Sequence, residues 1–205
     1  MKKIPTLFER KFENHRVVGI SDKVTPGMEW VLNDEGIATV KVDGSCCAII
    51  DGVLYKRYDA KKGKPIPDGA IKCQDEADPV TGHLPCWVKC SEDNPSDKWF
   101  VAAYNEMIAA GYGYRDNRTY EAIGPHFQGN PYNLEKDTLF EHGCGALIIE
   151  NLPRTFEGIK EFLKNTPIEG IVFWKDDVPR CKIKRSDFGF DWPCKNAKYR
   201  KIEVK

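Results

Sequence analysis

Apolar runs along the chain are short, rich in β-branched residues and bounded by turn signals, a pattern of strands more than of long helices. The first forty residues mix brief apolar runs with turn residues such as Thr25-Pro26-Gly27, then lead into Gly36-Ile37-Ala38-Thr39-Val40, which predicts a strand ending at Lys41. Cys46 to Ile50 predicts a second strand that turns at Asp51-Gly52 into Val53 to Tyr58, because Asp-Gly between two apolar runs is a hairpin signal. From Lys64 to Asp97 the chain is rich in Pro, Gly and acids with weak periodicity, and reads as an ordered loop or insertion. Lys98 to Gly111 has helical spacing, with Trp99, Ala102, Ala103, Met107 and Ile108 able to share a face. Further strands are predicted at Arg118 to Ala122, Ala146 to Glu150, Ile168 to Trp174 and Arg180 to Lys184, and Thr155 with the run Gly158 to Lys164 predicts another short helix. The expected class is α+β: antiparallel sheets flanked by two or three helices, in a single domain over residues 1–205.

Composition changes this picture only locally. Lys+Arg and Asp+Glu number 31 each in 205 residues, so total charge does not mark a nucleic-acid binder. The balance is a cancellation. Tyr55 to Lys64 carries five basic residues and one acid, Arg180 to Lys205 nine basic and three acids, and the intervening Pro65 to Asp97 seven acids and two lysines. For the last ten residues a solvated face is the expectation. No apolar run approaches the roughly 20 residues that cross a bilayer, and the opening Met-Lys-Lys-Ile-Pro lacks a signal peptide's apolar stretch. A cytoplasmic protein without a membrane partner is expected, with a monomer favoured. The eight cysteines contain no CxxC pair, so reduced thiols are favoured over a zinc site at Cys73, His83, Cys86 and Cys90.

Charged residues recur inside the predicted strands. Lys41-Val42-Asp43-Gly44-Ser45 sets a lysine at a strand end before a turn. In Tyr55-Lys56-Arg57-Tyr58 the two basic residues point to opposite faces, so only one can enter a common site. Tyr120-Glu121-Ala122-Ile123-Gly124 and Ile168-Glu169-Gly170-Ile171-Val172-Phe173 each carry one carboxylate in apolar surroundings, and Cys181-Lys182-Ile183-Lys184 puts two lysines on one face. Buried charges are costly unless paired or bound, so the set asks for a charged ligand.

The ordered set KVDGS, YEAIG, IEGIVF and KIK resembles four motifs of the covalent nucleotidyltransferase superfamily of ATP-dependent DNA ligases, RNA ligases and mRNA capping enzymes. The segments IPTLFER, DPVTGHLPCW and GPHFQGNPY are more similar to the small RNA ligases that seal 5'-to-3'. The resemblance implies a nucleotidyltransferase (ATP-grasp-like) fold and an ATP-dependent RNA ligase. Lys41 would attack the α-phosphate of ATP, the AMP would pass to an RNA 5'-phosphate, and a 3'-hydroxyl would then displace it. An unperturbed lysine has a pKa near roughly 10.4, so neighbouring cations would have to favour the neutral amine.

By the same resemblance Lys182 and Lys184 are catalytic and hold the α-phosphate, Glu121 binds the ribose hydroxyls, and Glu169 orients Mg²⁺ (or Mn²⁺) directly or through water. Val40, Asp43, Gly44, Arg57 and Ile148 join the nucleotide site, with Asp43 as well suited to shaping the turn. RNA carrying a 5'-phosphate and a 3'-hydroxyl would be gripped by Lys56, Arg57, Lys61, Lys62 and Arg185. His126, Gln128 and Asn130 could contact substrate or satisfy backbone groups, and His142 could serve function or core.

Two departures stand out. Many superfamily members carry KxDGxR, whereas this chain has Cys46 at the arginine position, so Arg57 is the natural substitute. Only 21 residues follow Lys184, so no OB-type domain is expected. That length weighs against the alternatives of a DNA nick ligase or a guanylyltransferase, and the retained charged positions weigh against a catalytically silent RNA-end binder.

Overall fold

A computed structural model describes residues 1–14, 16–79 and 81–194. The basic tail over 195–205 lies outside the described residues. The fold is α+β, with most strands antiparallel, and the chain divides into two compact units: residues 1–3 with 43–142, and residues 4–42 with 143–205. Among the described residues no helix is long and apolar enough to cross a membrane.

The second of these units begins with a hairpin of β1 (Phe8–Glu13) and β2 (Arg16–Val24), which pair only with each other. Beyond its first residue β1 is exposed along its whole length. It therefore buries no alternating face, and alternation was the signal that sequence reading relied on. The strand β3 (Ile37–Lys41) ends at Lys41 as predicted.

The first unit is built on a six-stranded sheet. Its members are β4 (Ser45–Ile50), β5 (Val53–Ala60), β6 (Ile71–Lys72), β7 (Leu84–Lys89), β8 (Arg118–Ile123) and β9 (Thr138–Glu141), in the order β6-β7-β5-β4-β8-β9. Asp51 and Gly52 both take positive φ, the hairpin geometry their sequence predicts. The 64–97 segment is not the loop expected. It supplies β6 and β7, and β7 went unrecognised because Pro85, Cys86 and Trp87 are buried consecutively and a proline argues against a central strand.

α1 (Lys98–Ala109) covers one face of this sheet, packing Ala103 and Met107 into a core with Cys47, Ile49, Leu54, Tyr120, Ala122 and Leu139. Its buried stripe is Phe100, Ala103, Tyr104 and Met107, the i, i+3, i+4, i+7 set. The stripe expected from sequence is turned by one position, since Trp99 and Ile108 are exposed.

The remaining elements belong to the second unit. Residues 145–147 form a 3₁₀ turn where a strand was expected, and Ile148 makes only an isolated bridge to Thr39. α2 (Phe156–Asn165) starts at Thr155, whose hydroxyl accepts from the Gly158 N–H at 3.1 Å, a side-chain N-cap. β10 (Gly170–Lys175) pairs antiparallel with both β3 and β11 (Val178–Lys184). One face of this three-stranded sheet contributes Ala38, Ile171, Phe173, Cys181 and Ile183 to a core that α2 closes with Ile159 and Leu163.

Truncating the α1 stripe should be costly where truncating the expected stripe is not. Met107→Ala is expected to lose about 2–4 kcal/mol of unfolding free energy in a denaturant titration, and Trp99→Ala, at an exposed position, about 1 kcal/mol or less.

Candidate functional site

The face of the β11-β10-β3 sheet opposite its core carries the lysines. Because side chains alternate along a strand, burying Ala38, Ile171, Cys181 and Ile183 forces Lys41, Gly170, Lys182 and Lys184 to the other side. The register then sets them in rows. Lys41 and Lys184 both pair with Gly170, and Thr39 and Lys182 both pair with Val172. Glu169, just ahead of β10 and 5% exposed, accepts from both end lysines: Lys41 Nζ at 2.5 Å on Oε2 and Lys184 Nζ on Oε1. The carboxylate stands before the strand rather than within it, which lets it reach across both neighbours.

Gly170 makes the arrangement possible. A Cβ there would lie 2.2 Å from the Ile183 carbonyl oxygen and 2.9 Å from the Lys184 Cα, both backbone atoms that cannot yield cheaply. Lys182 is the perturbed member of the set. Burial, reinforced by Lys41 and Lys184, lowers its pKa to about 8 although Glu169 pulls the other way. Val40 points to the core and packs against it, and Ile148 is 44% exposed. Trp174, which sequence reading did not single out, donates from Nε1 to Thr39 Oγ1 at 2.9 Å and fixes the middle of the same face.

Arg185, expected as an RNA contact, is instead a buried structural residue. Its guanidinium donates to the carbonyls of Leu163, of Thr166 at 2.9 Å and of Asp191 at 3.1 Å, so it satisfies the end of α2. Its position next to Lys184 in a basic segment gave no sign of this, because two of its partners, the Leu163 and Thr166 carbonyls, are distant in sequence.

In the first unit the two faces of the six-stranded sheet separate the basic pair as expected. Lys56 lies on the α1 side, ion-paired with the fully buried Asp97 and donating to Ser96 Oγ at 2.8 Å. Arg57 turns to the opposite side, where it donates to Asp59 at 2.9 Å and to the Met1 carbonyl at 3.0 Å. Lys61 and Lys62 are exposed beyond the strand.

Glu121 shares the Arg57 side. It pairs in register with Cys46, and its Oε2 lies 2.7 Å from His142 Nε2. Gly44 packs directly on this strand: a Cβ would meet the Ala122 carbonyl oxygen at 2.3 Å and Glu121 Cγ at 2.8 Å. The N–H of Asp43 donates to Tyr132 Oη at 2.6 Å, a buried anchor for the turn that sequence reading missed. Burial and the neighbouring Glu121 push the Cys46 thiol up to about 12. Asn130 binds the Leu134 backbone through both ends of its amide at 2.9 Å, so it serves its own loop. His126 stacks on Trp99 and meets Asp137 at 2.6 Å.

No disulfide joins the cysteines among the described residues, and Cys73, His83, Cys86 and Cys90 do not converge into a metal-ligating group there.

Comparison with known proteins gives one consistent result. A family model described as RNA ligase 1 matches residues 107–204, just under half of the chain. The chain is 26% identical to RNA ligase 1 of Pongo abelii over 228 aligned residues, covering 77% of this chain and 68% of that protein. It is 27% identical to RNA ligase 1 of Danio rerio over 213 residues, covering 90% of this chain and 58% of the relative. The resemblance to RNA ligases carried by the motifs is borne out.

Two variants test these environments. Arg185→Met, which leaves buried carbonyls without donors, is expected to cost about 3 kcal/mol in denaturant unfolding. For Lys182 the folded pKa lies below the ordinary value of 10.5, so the buried charge costs stability below about 8. That cost is relieved as pH rises from about 8 towards 10.5, where the unfolded chain still holds the proton. Lys182→Met should therefore raise the melting temperature at neutral pH, with the gain fading across that window.

Proposed function

The chain is a relative of the RNA ligases, and from that premise we propose that it is an ATP-dependent RNA ligase with a covalent nucleotidyltransferase fold, working through a lysyl-AMP intermediate. The observation that carries this reading is the lysine face: Lys41 and Lys184 flank Gly170 and share the buried carboxylate of Glu169, with Lys182 one row away.

The reading assigns the first step to Lys41. Held by Glu169, the amine is oriented but occupied; once that contact loosens and its proton passes to solvent, the nitrogen can attack the α-phosphorus of ATP. A P–N bond forms as the P–O bond to pyrophosphate breaks. Lys182 and Lys184 project from the same sheet face and offset the charge gathering on the α-phosphate oxygens. With a pKa lowered to about 8, Lys182 still carries its charge at neutral pH, and a bound anion offsets the cost of burying it.

In the second step an oxygen of the RNA 5'-phosphate attacks the lysyl-AMP phosphorus, the P–N bond breaks and the amine regains a proton. In the third a 3'-hydroxyl loses its proton, attacks the activated 5'-phosphate and releases AMP. By the motif resemblance Glu121 takes the ribose hydroxyls and Arg57 a phosphate.

Mg²⁺ or Mn²⁺ fits the donor set at Glu169, a carboxylate whose hard oxygens would hold it directly or through water. When bound, such an ion neutralises phosphate charge. Lys61 and Lys62, exposed beyond β5, are suited to backbone phosphates of RNA, and such contacts weaken with salt.

The test is to incubate the protein with α-labelled ATP or GTP and Mg²⁺ and follow label that survives denaturation. ATP is expected to label the protein, Lys41→Ala to abolish the label, and Lys184→Ala to slow labelling by about 100-fold. Labelling by GTP alone, or none by either nucleotide, would sink the proposal. Joining of 5'-phosphorylated RNA but not nicked DNA by the labelled enzyme should follow.

A further inference from the structure

Cys46 stands where the KxDGxR pattern has an arginine, and a thiol cannot replace that cation. Its surroundings suit another task. Cys46 on β4 and Glu121 on β8 are register partners, so their side chains leave the sheet on one face. His142, in the turn after β9, brings Nε2 to 2.7 Å from Glu121 Oε2, and one ligand atom from each of the three residues lies within 4.8 Å of the others. Among the described residues no other histidine, cysteine or carboxylate group converges in this way.

We propose that Cys46, Glu121 and His142 form a Zn²⁺ site. Three arguments beyond proximity support it. The ligand types suit a borderline-soft cation, since thiolate and imidazole select zinc over magnesium. Charge balances in the bound state, because the thiolate formed there and the carboxylate beside it carry two negative charges that a divalent ion cancels. The histidine is also oriented from behind: Nδ1 lies 3.0 Å from Thr119 Oγ1, and the backbone N–H of His142 donates to the Thr119 carbonyl at 3.0 Å.

A hydroxyl accepts from a protonated Nδ1 as readily as it donates to a bare one. Thr119 is therefore able to accept from Nδ1–H when a metal takes Nε2, as the outer-shell partners of ligating histidines do. On binding, the Cys46 S–H proton passes to solvent as the Zn–S bond forms. Three protein ligands leave a fourth position for water or a ligand atom. The consequence rests on the proposed function: a zinc ion holding Glu121 withdraws the carboxylate assigned to the ribose, so zinc inhibits adenylylation while magnesium supports it.

The experiment uses the metal-free full chain and Co²⁺ as the probe, with no nucleotide present. One equivalent of Co²⁺ is expected to bind with a thiolate-to-cobalt absorption band and to be displaced by Zn²⁺. Cys46→Ser should lose the band, His142→Gln should weaken binding by about 10-fold or more, and Cys73→Ser should leave both unchanged. Thermal melts establish that each variant is folded; if Cys46→Ser is not, His142→Gln, which keeps the thiol, carries the decision. A band that persists in Cys46→Ser, one lost in Cys73→Ser, binding unaltered in His142→Gln, or no binding at micromolar cobalt would overturn the site.

Because binding is read without ATP, failure of the ligase reading leaves this result intact. The inhibitory consequence is read separately: zinc at one equivalent should reduce ATP labelling of the wild type and not of folded Cys46→Ser. Equal inhibition of both would refute the link to Glu121.

Discussion

The Glu169 carboxylate is the interaction on which the lysine face depends. Three lysines on one side of a three-stranded sheet repel one another, and at Lys182 burial, reinforced by that repulsion, lowers the pKa. One buried carboxylate answers the two lysines on either side of it, leaving its own charge satisfied and their amines oriented. Breaking such a buried pair strands a charge, so the contact is costly to lose yet adds little net stability when formed. That balance suits a site whose contacts must be exchanged for those of an anionic ligand.

Sheet geometry makes this possible. Lys41 and Lys184 come from strands far apart in sequence and meet only because β10 runs between them, with Gly170 at the shared register position. With no Cβ in the way, the backbone of β11 can close on β10 beside the carboxylate. The same device recurs in the first unit, where Gly44 lies against the strand that carries Glu121. In both places the glycine matters for close approach, and the charged residue next to it is positioned as a result.

The first unit shows how one sheet keeps its charges apart. Lys56 and Arg57 are adjacent, but alternation sends Lys56 to the helix-covered face and the buried Asp97, and Arg57 to the other face with Cys46 and Glu121. A basic run in sequence is therefore not a basic patch in space. Arg185 makes the same point: its charge is spent on the carbonyls that end α2.

Alternation and turn residues in the chain were enough to determine the strand ending at Lys41, the Asp51-Gly52 hairpin, the helix capped by Thr155, and the common face of Lys182 and Lys184. Each of these is written by neighbours a few residues apart. Tertiary structure decided the rest. β7 has no alternation because both its faces are covered, β1 and β2 have none because the hairpin is largely exposed, and the buried stripe of α1 was chosen by the sheet beneath it. The convergence of Cys46, Glu121 and His142, and the hold of Glu169 on two lysines, depend on strand order and register. Those are set by pairing between segments remote in sequence, which no local pattern records.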